Sequence, residues 1–191
     1  MKFVEKVKGI LTEPSKTFDT LKEEKLGEAI NYYAIIALIY ALLSALVFAL
    51  AFGSMFGRFG MMVGAGPGAA GISVMFVIVF IIWITGAFIG GTIFHIFVYL
   101  AGGRKGLAQT IKAVIYGSTP LLLLGWIPVI GAIAGIWSLI LEVLGIRQLH
   151  EITTGKAILA VVLALVISMV ILTVFLAAVI ASIVYGGYKW I

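Results

Sequence analysis

Polar positions in this chain are confined to its ends and to short gaps between long apolar runs. The first 28 residues stand apart. Phe3, Val4, Val7, Ile10 and Leu11 fall on one helical face, with Lys2, Lys6 and Lys8 around the other. Pro14 ends that pattern, and Thr12 or Ser15 can cap a second short helix carrying Phe18, Leu21 and Leu26. Two readings are open. Both pieces lie as amphipathic helices at a membrane surface, or they form a hairpin packed on the apolar spans. Neither is long enough to stand alone in water.

The apolar runs predict helices of membrane-spanning length. Residues 29–52 carry no charge, and 24 residues of helix cross a hydrocarbon core of ~30 Å. Residues 53–71 read as a loop with seven glycines and Pro67, whose Met55, Phe56, Phe59, Met61 and Met62 suggest contact with lipid. Residues 72–100 form a second run, long enough to tilt or protrude. After the basic turn at Arg104 and Lys105, a third helix spans 107–124 and is broken near Pro120. Residues 129–145 return, with a full crossing or a short re-entrant pair both open. The last span covers 156–185. The expected fold is therefore an all-α polytopic integral membrane protein. It has a 1–28 amphipathic segment followed by a five-span domain over 29–191.

Composition agrees. The apolar set is 63% and the charged set 11% of the chain, with mean hydropathy +1.23. Soluble domains carry about 45–50% and about 25%, so a soluble enzyme, a nucleic-acid binder and a disordered protein are poor readings. The net charge of +5 sets orientation instead. With the N-terminus inside, 11 Lys and Arg fall on inner segments, and only Arg58 and Lys189 on outer ones. The expectation is N-in and C-out in the cell membrane. Tyr32 and Tyr33 mark one aromatic belt, and Tyr185, Tyr188 and Trp190 the other. The first apolar run begins only near Ala29, so the start of the chain does not read as a signal peptide.

Chemistry-bearing patterns are few. There is no cysteine, the only aspartate is Asp19, and the two histidines are 55 residues apart. These facts exclude thiolate metal sites, an intramembrane aspartyl dyad and an H-E-x-x-H zinc motif. No cofactor and no catalytic residue is expected. With Ile127 as the centre of the turn between the third and fourth spans, Lys112 and Glu142 stand level, and so do Tyr116 and Ser138. His95 is five residues, ~7.5 Å, from the inner end of the second span. Two readings are open here as well: a polar cluster of His95, Lys112, Tyr116 and Glu142, or a lone Lys112–Glu142 ion pair that fixes helix register. Gly86 with Gly90, and Gly131 with Gly135, are G-x-x-x-G pairs. They read first as packing between spans of one chain, with a homodimer face as the alternative. Pro120 frees a carbonyl near Tyr116, which the hydroxyls of Ser118 and Thr119 beside Gly117 can satisfy.

Tyr116-Gly117-Ser118-Thr119-Pro120, then Gly125-Trp126-Ile127-Pro128, then Trp137 and Ser138, resemble the Yip domain. Leu149-His150-Glu151, Gly155-Lys156-Ala157, and Pro14 with Phe18 extend the likeness over roughly residues 12–185. That family comprises Ypt/Rab-interacting polytopic membrane proteins and their prokaryotic relatives, and the short segment before the first span is similar to a prokaryotic member. The resemblance implies five spans and supplies no catalytic residues. The expected role is a non-enzymatic membrane organiser or adaptor. Its expected partners are membrane lipids, anionic ones included, a second copy or another membrane protein, and not nucleic acid. The alternative is a small transporter, channel or lipid scramblase built on the broken helix and the His/Lys/Glu cluster.

Overall fold

The computed structural model describes residues 1–62 and 69–186, with side chains described outside 51–62, 69–70 and 183–186. Eight helices occur in order: α1 (Phe3–Thr12), α2 (Pro14–Leu21), α3 (Leu26–Met62), α4 (Ala69–Leu100), α5 (Leu107–Gly117), α6 (Thr119–Leu124), α7 (Ile130–His150) and α8 (Thr154–Gly186). Five segments are long and apolar enough to cross a membrane: Leu26–Leu50, Gly71–Leu100, Leu107–Leu124, Ile130–His150 and Thr154–Ser182. The chain is thus all-helical among the described residues, with two short amphipathic helices ahead of five candidate spans.

The stretch read as a loop from residue 53 is helical to Met62 and again from Ala69. Glycines cost helix stability in water. In lipid the backbone has no other hydrogen-bond partner, so the helix persists through them. The side chains of Met55, Phe56, Phe59, Met61 and Met62 lie outside the described residues, as do those of Tyr185, Tyr188 and Trp190.

Alanine lets these helices approach along α3 and α8. Ala29, Ala37, Ala41 and Ala45 are buried along α3, and Ala157, Ala160 and Ala164 along α8. The α3 helix packs on α4, α5 and α6, while α7 packs on α5, α6, α8 and α2. Only the first part of α8 is covered: from Val166 to Ile180 nearly every residue faces outward.

The third span breaks where expected and keeps its hydrogen bonds. Ser118 (φ −76°, ψ 0°) separates α5 from α6. Its hydroxyl donates to the carbonyls of Val114 (2.9 Å) and Ile115 (3.1 Å). The Thr119 hydroxyl donates to the carbonyl of Tyr116 (2.7 Å). The turn into α7 is tighter than the sequence suggests. Val129 has φ +69° and ψ −51°, and the Ile130 N–H donates to the Pro128 carbonyl at 2.8 Å. That is a γ-turn centred on a β-branched residue, which is a strained arrangement. Val129→Gly is expected to stabilise the protein by about 1 kcal/mol, read as a higher Tm in detergent. A lower Tm would show that the turn is not strained.

Candidate functional site

The N-terminal helices form a cap on one end of the bundle. Of the two readings open in the sequence, the described contacts match the packed hairpin. Phe18 and Leu21 are buried against α7. A Cβ added to Gly145 would meet the Phe18 ring at 2.9 Å, so the helix backbone itself forms the socket.

Lys112 fastens this cap. It is 2% exposed, and its Nζ donates to the carbonyls of Leu21 (2.8 Å), Lys22 (2.9 Å) and Glu24 (2.9 Å). The last carbonyls of a helix lack internal donors and attract a cation, so a lysine on α5 closes the end of α2. Beside it, Lys6 pairs with Glu24 at 2.5 Å, and the Tyr116 hydroxyl donates to the same carboxylate. The Tyr116 ring packs in a tilted arrangement, centroids 4.9 Å apart, against Tyr32, whose hydroxyl shares a hydrogen bond with that of Thr119 at 2.9 Å. Gln109 and Gln148 donate to the carbonyls of Lys22 (3.0 Å) and Ser15 (3.4 Å).

The expected grouping of His95, Lys112, Tyr116 and Glu142 is not what the geometry brings together, and Lys112 does not pair with Glu142. The four side chains divide into three surroundings. Lys112 and Tyr116 serve the cap. Glu142 is buried against Gly117, where a Cβ would meet its Cγ at 2.5 Å. Its carboxylate has no hydrogen bond or ion pair among the described residues, though it lies in electrostatic reach of Tyr33. His95 belongs to a third group: its Nδ1 shares a hydrogen bond with the Thr110 hydroxyl at 2.8 Å, and Thr110 shares another with His150 Nε2 at 2.9 Å. The reason is register. Gly117 packs on Glu142, and the Leu121 N–H donates to the Ser138 hydroxyl at 3.0 Å. Both pairs centre the hairpin between Val129 and Ile130, not on Ile127. Lys112 is then level with Arg147, about one helical turn from Glu142.

Nothing in the sequence marks Thr110 as the link between the histidines, since it stands 15 residues from one and 40 from the other. Thr110→Val is nearly isosteric and strands both ring nitrogens. The expected loss is about 1–3 kcal/mol, measured as thermal unfolding in micelles. No loss would mean that the histidines find other partners.

The glycines differ as well. Gly131 packs on Gly125, where an added Cβ would meet the carbonyl at 2.7 Å, and a Cβ added to Gly135 would lie 4.0 Å from the Leu121 side chain. These two serve packing within the chain. A Cβ added to Gly86 or Gly90 would meet nothing within 4 Å beyond its own helix backbone among the described residues, so the internal packing expected for them is not seen.

The rim of the cap is charged. Lys105 and Lys22 reach Glu151 at 2.6 and 3.7 Å, and Lys22 reaches Asp19 at 2.9 Å. The Lys105 ammonium holds the Glu151 carboxyl below its usual range, and the hydrogen bond to Asp19 holds the Lys22 amine above its own. A depressed carboxyl stabilises above its unfolded pKa and loses that effect as pH falls through the folded one. A raised amine stabilises below its unfolded pKa and loses the effect as pH rises through the folded one. The rim is thus closed across neutral pH. Acidification below the carboxylate range should speed hydrogen exchange at residues 101–106, and unchanged exchange there would contradict this.

No group of three or more His, Asp or Glu among the described residues could hold a metal ion. No curated protein and no solved structure gives a significant match to the chain. A family model described as the Yip1 domain does match, over residues 8–186. That stretch takes in most of the cap, the polar layer beneath it and all five candidate spans, and the chain belongs to the Yip1-domain family.

Proposed function

We propose that this protein is a non-enzymatic membrane organiser or adaptor. In this reading the cap and the two basic turns beside it face the cytoplasm, and they engage anionic headgroups and partner proteins at the cell membrane. One observation carries it: a charged hairpin is fixed to the bundle by a buried lysine, while Lys2, Lys8 and Lys16 stay at least partly exposed on its outer side. Val4, 71% exposed, stands between two of them. Exposed lysines beside a bilayer attract anionic lipid by about 1 kcal/mol each. Lys16 contributes least of the three, because it pairs with Glu13 at 3.1 Å, and the six lysines of residues 1–28 stand among six acidic side chains. The test is the full chain in liposomes containing spin-labelled anionic lipid. Immobilised anionic lipid is expected around the protein, with less of it when Lys2, Lys8 and Lys16 are all changed to Glu. Protein-dependent movement of ions or lipid, with no anionic enrichment, would overturn the reading.

The second reading, a transporter, channel or scramblase, is favoured by one observation. Glu142, without an ion pair among the described residues, sits inside the bundle beside the helix break, and ionisable groups buried in spans mark substrate paths. Under that reading Glu142→Gln abolishes flux in the same liposomes.

A further inference from the structure

At the other end of the bundle from the cap, a cavity opens between α3, α4 and the turn from α6 to α7. Tyr40, Ser44, Val47 and Phe48 present one helical face, and Met75, Val79, Ile82 and Trp83 the matching one. Faces with this spacing ordinarily interdigitate. Here the two faces meet at the edge-on contact of Tyr40 with Trp83, centroids 5.1 Å apart, and beyond it the smaller Ser44, Val47 and Val79 line open space. A cavity of about 410 Å³ remains, floored by Gly125, Trp126 and Pro128 of the α6–α7 turn. The cavity is open on one side, where Ile82 and Phe48 are exposed, and its volume falls within the range of small-molecule sites.

Ser44 is the second observation. It is 8% exposed, lines the cavity, and its hydroxyl has no hydrogen-bond partner among the described residues. A serine within a helix often donates to the carbonyl four residues back; this one does not. The Trp126 indole N–H is already spent on the Leu123 carbonyl at 2.8 Å. The cavity therefore offers a mostly apolar wall with a buried hydroxyl in want of an acceptor. Water does not suit it, because a buried water needs two to four polar partners. Around these helices the ambient ligand is hydrocarbon. Ser44 shares the cavity with Gly125, Trp126 and Pro128 of the turn that joins the third and fourth candidate spans. A turn between spans lies toward a membrane face, which brings Ser44 toward the ester layer of a bilayer.

We propose that this cavity holds one acyl chain of a bilayer phospholipid, whose ester carbonyl accepts the Ser44 hydroxyl. The chain lies between α3 and α4, and the headgroup emerges past Trp126 and Pro128. The site is independent of the adaptor reading, which concerns the opposite end.

The test uses the full chain in phosphatidylcholine liposomes doped with phosphatidylcholine carrying a diazirine on one acyl chain. After irradiation, adducts are mapped by mass spectrometry. Adducts on Met75, Val47 and Val79 are expected to exceed those on the outward α8 residues Val170 and Phe175. The Val47→Phe, Val79→Phe double variant fills the cavity and is expected to remove the Met75 adduct while sparing those on α8. Ser44→Ala, a smaller change that the helix tolerates, is expected to lower cavity adducts roughly two- to tenfold, the worth of one hydrogen bond. Ether-linked lipid lacks the carbonyl and is expected to label the unaltered protein and the Ser44→Ala variant equally. Labelling spread evenly over cavity and α8, or unmoved by filling the cavity, overturns the proposal. Equal loss on Ser44→Ala with ester and ether lipid overturns the carbonyl contact.

Discussion

Lys112→Met is expected to detach the N-terminal cap. The substitution keeps the length and apolar stem of the side chain but removes the ammonium that three carbonyls share. Each buried acceptor left without a donor costs about 1–3 kcal/mol. The Leu21 and Lys22 carbonyls keep the Glu24 N–H and the Gln109 amide as donors, so the Glu24 carbonyl is the one stranded and the loss should be about 1–3 kcal/mol. Lys6 and Glu24 pair within the same layer, so the effect should spread to α1. Hydrogen exchange over residues 3–21 reads it directly: protection there should collapse while the spans keep theirs. Lys112→Arg should recover only part of it, because a planar fork cannot converge on three carbonyls as an ammonium does. Unchanged exchange in α1 and α2 would show that apolar packing of Phe18 and Leu21 is enough to hold the cap.

Gly117→Ala should be the most disruptive of the glycine substitutions compared here. The new Cβ would lie 2.5 Å from Glu142 Cγ and 2.9 Å from its Cα and backbone nitrogen. A side chain can rotate away, but a helix backbone has to move. Overpacking costs about 1–3 kcal/mol, and this site should fall at the upper end because α5 must part from α7. Gly145→Ala meets the Phe18 ring at 2.9 Å and Ala113 Cβ at 3.1 Å, so it should be milder and should loosen α2 first. Gly86→Ala and Gly90→Ala meet nothing within 4 Å and should be neutral or slightly stabilising through helix propensity. Thermal unfolding in one detergent across the four variants tests the ordering. A Gly117→Ala protein as stable as Gly90→Ala would mean that α5 and α7 are less closely packed than these distances imply.

The helices were legible because length and uniform apolarity decide them. Pro120 marked the break between α5 and α6, and Phe18 and Leu21 marked the buried face of α2. The polar layer was far less legible. Level along a hairpin says nothing of the direction around each helix, and a turn centre misplaced by two or three residues shifts the opposing partner by about five. That shift separated Lys112 from Glu142. The partner of Lys112 was invisible for a different reason: it is the main chain at the end of α2, and a carbonyl carries no side-chain signature. G-x-x-x-G pairs point to close approach at glycine, whereas Ala37, Ala41 and Ala45 carry much of it along α3. Ser44 sits among those alanines with nothing in the sequence to distinguish it, since its meaning depends on what fails to fill the space beside it.

The far part of α8 is tied to the rest by covalent continuity more than by neighbours: from Val166 to Ile180 its side chains look almost entirely outward. Oiliness is then the main demand on that stretch, and the order of its letters matters little. Shuffling Leu, Ile and Val there should leave the fold untouched. Ala160 and Ala164 on the same helix, pressed against the bundle, would not forgive the same treatment.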